Sequence, residues 1–473
     1  MNNIKDIRLY FLTLLVICTI VFIYTPVFGP NFAYLNDYTA FMPLWFGFPE
    51  TVGVFQLGRP IQAILANIQF RFLGDMLSLQ MMRIFIVLMI ATAATLFFRF
   101  LQKNLNINIF SAVLLSLLTF TLPSMTINSF FIAQSVPGIV PLFFVLPAHY
   151  LIQKSNTINH NRILIITAVF MLIFLSLLTY PPVTFFFLTL TFIKFVFGTK
   201  DPSRAKLADI YTEVMIFSAA IIAYFLFVKF IYKPIFLGPV TEGGVYAFTL
   251  SSDPFAKLTQ VIDLFVLDFS AWFPPLNWIY IIPLVVVFIL ICTWASLCTP
   301  YNNHLRNSSK ITLGITLPIL IPILTSIPVL AIQGDYPILY RISFASMAAI
   351  MPVAIVFVID RVLLVDKRRI VFVPALFVIS VLIALAEISS HHRLVLEVAR
   401  LSAEYQHVFD TVTYDNNTSH NNVDSHRVIR SLPLYHHLIL YICIGILGTR
   451  HWILPLKQWS VQSYTRLMQQ SAR

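Results

Sequence analysis

Charge is what this sequence has least of: Asp, Glu, Lys and Arg together make up 11% of its 473 residues. Soluble domains carry about 25%, so a water-facing fold with an ordinary surface is excluded. Phosphate-cradling glycine loops are also missing, with no G-x-x-x-x-G-K-[ST] and no G-x-G-x-x-G anywhere in the chain. His-Glu-x-x-His and Cys-x-x-Cys are absent as well, so neither a metal nor any other cofactor has support in the sequence. The four cysteines, Cys18, Cys292, Cys298 and Cys443, lie in or beside apolar runs. They read as small buried hydrophobes rather than as disulfides or metal ligands. Ten-residue alternating segments, the mark of a membrane β-barrel, do not occur. The formal charge of +11 does not indicate nucleic acid, because the basic residues sit at the ends of apolar runs and not in one patch.

Long apolar runs fill the space these absences leave. Hydrophobic residues are 58% of the chain and its mean hydropathy is +0.84. Crossing a bilayer takes about 20 apolar residues of helix, and in lipid the backbone must satisfy its own hydrogen bonds. The expected fold is therefore all-α, a polytopic transmembrane bundle of about twelve spans. These are placed at 9–28, 82–100, 107–124, 135–152, 162–180, 182–198, 209–231, 278–298, 311–332, 343–360, 370–388 and 433–449. Lys5 and Arg8 precede the first run, and no small-x-small cleavage site follows it, so it reads as an uncleaved first helix. Residues 58–76, with Arg59, Gln62, Asn67, Gln69 and Arg71, are too polar to span easily and suit a helix on the membrane face.

Basic residues set the orientation. With the N-terminus in the cytoplasm, most Lys and Arg fall inside and most Asp and Glu outside. Asp360 to Arg369, holding Arg361, Lys367, Arg368 and Arg369, is the strongest cytoplasmic anchor. The organisation expected is a helical core over 1–388 with outer loops at about 30–81 and 232–277. An outer segment at 389–432 follows, then a last span and basic cytoplasmic tail at 433–473. Within 389–432, Leu394, Val398, Leu401, Tyr405, Val408 and Val412 recur at helical spacing, with Arg393, Glu397, Arg400 and Glu404 between them. Asn416-Asn417-Thr418 matches a glycosylation acceptor and is read as a chance match.

Inner loops are short, so chemistry is sought on the outer face. Asp37 lies among Phe32, Tyr34, Tyr38, Phe41, Trp45 and Phe46. Apolar surroundings favour the protonated carboxyl and bring it toward the range of a general base; a solvated loop aspartate or helix cap is the other reading. Arg59, in Gly58-Arg59-Pro60, opens the 58–76 helix. An arginine there opposes the helix dipole but can hold an anion together with free backbone N–H groups; simple headgroup binding is the alternative. A short outer turn carries Asp335 and Arg341, read either as a structural ion pair or as a hydroxyl-positioning acid beside a phosphate-binding arginine. Trp272, Trp278 and Tyr280 fit an aromatic belt. His391 and His392 are adjacent and diverge by about 100° on a helix, which leaves them surface residues.

Asn36-Asp37-Tyr38 after the first span, Gly58-Arg59 some twenty residues later, and Pro337 to Arg341 entering a late span make a layout. It resembles that of the GT-C membrane glycosyltransferases, most closely the serotype-converting O-antigen glucosyltransferases. Members often carry two adjacent acids in the first loop; here the first position is Asn36. The resemblance implies a multi-pass protein of the bacterial inner membrane that moves a sugar, glucose above all, from a polyprenyl-phosphate-linked donor to lipid-linked O-antigen on the outer face. It implies Asp37 or Asp335 as the base, Arg59 and Arg341 on the donor phosphate, no metal, and inversion by single displacement. The rivals are a transporter or flippase of lipid-linked sugars and an O-antigen polymerase or ligase. Transporters place ionisable groups within broken spans. Here the spans carry few such groups, near their ends, although Pro137, Pro141 and Pro147 could break one span.

Overall fold

The computed structural model describes residues 2–28, 58–72, 76–122, 125, 132–155, 162–200, 207–236 and 344–364. Nine helices are labelled in chain order: α1 (Asn2–Tyr24), α2 (Pro60–Arg71), α3 (Met76–Asn104), α4 (Ile109–Phe120), α5 (Ile132–Ser155), α6 (Arg162–Thr179), α7 (Phe186–Phe197), α8 (Leu207–Leu226) and α9 (Phe344–Leu364). Short helical turns at Thr25–Phe28, Pro181–Thr184 and Lys233–Phe236 adjoin them, and a π-helical segment, Phe227–Tyr232, extends α8. No named strand occurs among the described residues; a single bridge, Leu105 to Thr199, links two helix ends.

Five helical stretches are long and apolar enough to cross a membrane: Ile7–Tyr24, Leu79–Asn104, Ser135–Gln153, Arg162–Thr179 and Asp209–Tyr232. Ile109–Phe120 and Pro181–Phe197 are apolar but shorter. Each falls on an expected span, as does α9. The expected spans at 278–298, 311–332, 370–388 and 433–449 lie outside the described residues, as do Asn416 and the 389–432 segment.

All twelve residues of α7 are buried. Its sequence, FFLTLTFIKFVF, is apolar on every side, which in a bundle marks the helix that others surround. Phe186 meets Phe97 of α3 edge-on at 5.6 Å, Phe187 stacks on Phe217 of α8 at 5.7 Å, and Phe197 meets Phe357 of α9 at 5.9 Å. The two threonines would each waste a hydroxyl in such a site. Instead Thr189 donates to the Ala345 carbonyl of α9 at 2.6 Å and Thr191 to the Phe187 carbonyl at 3.2 Å.

Helix α5 keeps Pro137, Pro141 and Pro147 inside one continuous helix. It runs against α6, where the Ser176 hydroxyl lies 2.7 Å from that of Thr184 and 3.4 Å from the Pro141 carbonyl. Helix α2 packs on α5 and α6 in an unexpected sense. Gln62 and Gln69 are buried, with Ala63 and Ala66 between them, while Ile64, Ile68 and Phe72 are exposed. Two of the polar side chains of a segment read as a membrane-face helix therefore turn into the bundle, while Asn67 and Arg71 stay exposed. Gln69 Nε2 donates to the Ser135 hydroxyl of α5 at 3.1 Å.

Alternating directions give the bundle two ends. The start of α5, the end of α6 and helix α2 gather at one. At the other, α3 and α7 are strapped together. Gly198 ends α7 at φ +75°, Asn106 N–H donates to its carbonyl at 3.0 Å, and Lys200 N–H donates to the Asn104 carbonyl at 3.1 Å. Asn108 caps α4 by accepting from Phe110 N–H at 2.9 Å, while its own N–H donates to buried Asp360 of α9 at 2.7 Å. That last bond closes 252 residues of chain.

Candidate functional site

Arg59 is the one expected site residue that the structure describes; Asp37, Asp335 and Arg341 lie outside the described residues. The backbone delivers Arg59 through Gly58, whose φ is +74°. A Cβ built there would stand 2.7 Å from Val228 Cγ1 and 2.9 Å from Cγ2. Only glycine accepts both that backbone and that approach. Val228 belongs to the π-helical turn that follows α8, so this irregular turn is what presses on the Gly58 loop. Pro60 then opens α2 with the fixed φ and missing N–H that suit a first helical position.

The Arg59 guanidinium is half-buried and lies over the Tyr180 ring, 5.3 Å from its centroid. Its Nη1 donates to Gln62 Oε1, one helical turn on, at 3.4 Å. The hydroxyl of buried Tyr224 sits beside it and is 3.5 Å from the Gly58 carbonyl. Arg59 Nε is buried without a hydrogen-bond partner, and among the described residues no carboxylate pairs with this arginine. A guanidinium offers five donors in a fixed fork. Here one is spent on a long bond to a glutamine, another contact goes to the Tyr224 hydroxyl, the guanidinium face is backed by an aromatic, and among the described residues no carboxylate offsets the positive charge. That is the chemistry of a receptor for a planar or tetrahedral oxyanion.

Two aromatic supports escaped the sequence reading. Tyr180 ends an expected span just before Pro181-Pro182, where the sequence alone does not say which way its ring turns. Tyr224 lies within an ordinary-looking apolar span. Arg83 was also missed: it stands one residue into an expected span, has no exposed surface and is engaged by a partner. An arginine at the end of a span expected to face outward, against the basic-inside trend, was the available signal.

A second polar cluster lies toward the strapped end. His149 is fourteen residues along α5 from Ser135, about 21 Å at 1.5 Å per residue. Lys194 Nζ of α7 donates to Glu213 Oε1 of α8 at 2.6 Å, and His149 Nε2 is 3.4 Å from Glu213 Oε2. None of the three side chains is more than 2% exposed. Gln153 Nε2 is 3.3 Å from His149 Nδ1, and Thr191 Oγ1 is 3.4 Å from Nε2. The spans do carry ionisable groups near their ends; what was not foreseen is that three of them, on three helices, share one buried site. Among the described residues no group of three or more His, Cys, Asp or Glu could hold a metal ion.

Comparison with known proteins adds no relative: no family model, no curated protein and no solved structure matches this chain.

Proposed function

We propose that the chain is a GT-C-type glycosyltransferase of the bacterial inner membrane. It transfers a sugar, glucose by preference, from a polyprenyl-phosphate-linked donor to lipid-linked O-antigen on the outer face. The observation that carries the reading is Arg59: a guanidinium backed by Tyr180, beside the Tyr224 hydroxyl, with a buried unpaired Nε and no carboxylate partner among the described residues. The donor's phosphate is the anion that site suits. A lipid-borne donor arrives from within the bilayer, and α2, which Arg59 precedes, turns Ile64 and Ile68 outward.

In this reading the bundle has about twelve spans with both termini in the cytoplasm. Arg59 and Arg341 hold the donor phosphate. Asp37 takes the proton of the acceptor hydroxyl as that oxygen attacks the anomeric carbon, and the lipid phosphate leaves with the electrons of the broken C–O bond, inverting the centre. Asp335 is the competing base. Transport of lipid-linked sugars is the less favoured reading, because α5 stays continuous through its three prolines and transporters build midplane sites from discontinuous helices.

The deciding experiment is structural analysis of O-antigen from cells with and without this gene. A new side-branch sugar, lost on Asp37→Asn or Arg59→Ala at matched protein levels, supports transfer. A change of chain length alone supports a polymerase, and an unchanged polymer refutes both.

A further inference from the structure

Arg59 is held on three sides, each by a different element. Tyr180 supplies the ring face, 5.3 Å from centroid to Cζ. The backbone that carries this ring is itself fixed. Pro181 follows it and keeps it extended, at φ −153° and ψ 94°. The Tyr180 N–H donates to the Ser176 carbonyl at 2.9 Å, and its carbonyl accepts from the Thr184 hydroxyl at 3.2 Å. On α2, Gln62 accepts from Arg59 Nη1 at 3.4 Å. From α8 comes the Tyr224 hydroxyl. Its one hydrogen goes to the Gly58 carbonyl, at a long 3.5 Å, so toward the guanidinium this oxygen is an acceptor.

The end of α8 is shaped to make that contact. Tyr224, Val228 and Tyr232 are buried, while Phe225 and Phe230 between them are exposed. Steps of four drift by about 40° each on a helix of 3.6 residues per turn. The wider π-helical turn, with its i→i+5 bonding, takes up the drift over Phe227–Tyr232 and keeps the three on the inner side. Two of them then meet Gly58: Val228 against its Cα and Tyr224 at its carbonyl. Backbone and side chain of the Gly58-Arg59 pair are thus both referred to α8. Tyr180, Tyr224 and Gly58 are buried, whereas Arg59 keeps part of its surface open. A ligand therefore reaches the guanidinium, and the tyrosines act on it only through Arg59.

We propose that Tyr180 and Tyr224 are positioning residues for the anion bound at Arg59, and that they work by different parts: Tyr180 by its ring face, Tyr224 by its hydroxyl. The ring sets the plane of the guanidinium. The Tyr224 and Gln62 oxygens set its rotation within that plane and take the donors on the protein side. The donors left over are presented together to one oxyanion. An arginine ordinarily gives up much side-chain freedom when it grips a ligand; here that freedom is already spent, so the fork is ready before the anion arrives. The inference rests on the reading of Arg59 as the site of the donor's phosphate, and it adds which neighbours make that arginine selective and by which atoms.

The test measures equilibrium binding to the full chain in lipid nanodiscs. The probes are geranylgeranyl phosphate, the uncharged alcohol geranylgeraniol and inorganic phosphate. Arg59→Ala should weaken the lipid phosphate by about a hundredfold, the worth of two hydrogen bonds to a charged group. Tyr224→Phe, which keeps the ring and removes only the oxygen, should weaken it about tenfold. Tyr180→Phe should bind within about twofold of wild type, because the ring face remains, and Tyr180→Leu should lose about fivefold. Tyr180→Met replaces the leucine variant if that one does not fold. Binding of the alcohol should be the same in all of them, which a general loosening of the bundle would not leave unchanged. With Arg59→Ala weak, a Tyr224→Phe that binds like wild type, or a Tyr180→Phe as weak as Tyr180→Leu, overturns the inference and leaves the phosphate site standing. An Arg59→Ala that binds like wild type overturns the reading of Arg59 itself. Inorganic phosphate, lacking the apolar chain, should bind far more weakly; equal affinity overturns a lipid-borne source of the anion.

Discussion

Removing the charge of Glu213 should cost the bundle much more than removing that of Lys194, although the two form a single ion pair at 2.6 Å. Breaking a buried pair ordinarily costs about 3–5 kcal/mol, because the surviving charge is stranded. The stranded group can escape by changing its protonation, and that escape sets a ceiling. At pH 7 a lysine sheds its proton for about 4.6 kcal/mol and a glutamate gains one for about 3.7 kcal/mol, from their ordinary titration ranges. His149 makes the cases unequal. In Lys194→Met the carboxylate keeps a second polar neighbour, His149 Nε2, 3.4 Å from Glu213 Oε2. The loss should then fall below the ~3–5 kcal/mol of a fully stranded charge. In Glu213→Gln no anion remains among the described partners of Lys194, and the loss should approach the full ~3–5 kcal/mol. The assay is unfolding of purified full-length protein in mixed micelles by added denaturing detergent, with a double-mutant cycle on the pair. Lys194→Met/Glu213→Gln should be more stable than Glu213→Gln alone. Lys194→Met/His149→Gln should fall to the level of Glu213→Gln. Equal losses in the two single variants, untouched by His149→Gln, would refute the argument.

Asp37→Asn should reduce sugar transfer by about 10²–10⁴-fold, the usual contribution of a positioned base, with expression unchanged; normal modification together with a dead Asp335→Asn would move the base to Asp335. Arg59→Lys keeps the charge but loses the fork, so donor use should weaken while membrane insertion stays normal, and full activity in both Arg59→Ala and Arg341→Ala would place the phosphate elsewhere. Gly58→Ala should destabilise by about 1–3 kcal/mol through its backbone strain and contact with Val228; Val228→Ala in the same chain should recover the contact part but not the strain, and recovery of both would show that φ at Gly58 relaxes. A reporter fused after Asp424 should be active outside the membrane and one after Arg368 should not, and the reverse pattern would invert every assignment of faces.

Helix existence was legible because lipid imposes a length: Ile7–Tyr24, Arg162–Thr179 and Asp209–Tyr232 are runs that only a spanning helix uses well. That Arg59 precedes a helix was legible from Gly58-Arg59-Pro60, since proline suits a first helical position. Its supports were not, since Tyr224 comes from a helix whose rotation about its own axis is set by packing and not by hydropathy, and Tyr180 from the extended residue between two helical segments. Helix α2 shows the same limit: Gln62 and Gln69 are hydrophilic and yet buried, because beside lipid the polar side of a helix gains more from protein than from its surroundings. The meeting of His149, Lys194 and Glu213 depends on the depth register of three separate helices, for which a hydropathy profile carries no information.

The wholly enclosed α7 has a consequence for synthesis. Lys194 leaves the ribosome nineteen residues ahead of its partner Glu213. At ordinary elongation rates of about 5–20 residues per second, that is roughly one to four seconds. During that interval a helix with an ammonium group near its end has no anion to meet, and none of the later helices is present to shield it. A lysine near a helix end can reach for the polar interface with its long side chain, which holds the helix shallow until a partner arrives. The order of the chain therefore makes α7 a helix that is threaded first and seated second: its final depth is set only when α8 brings the carboxylate down beside it.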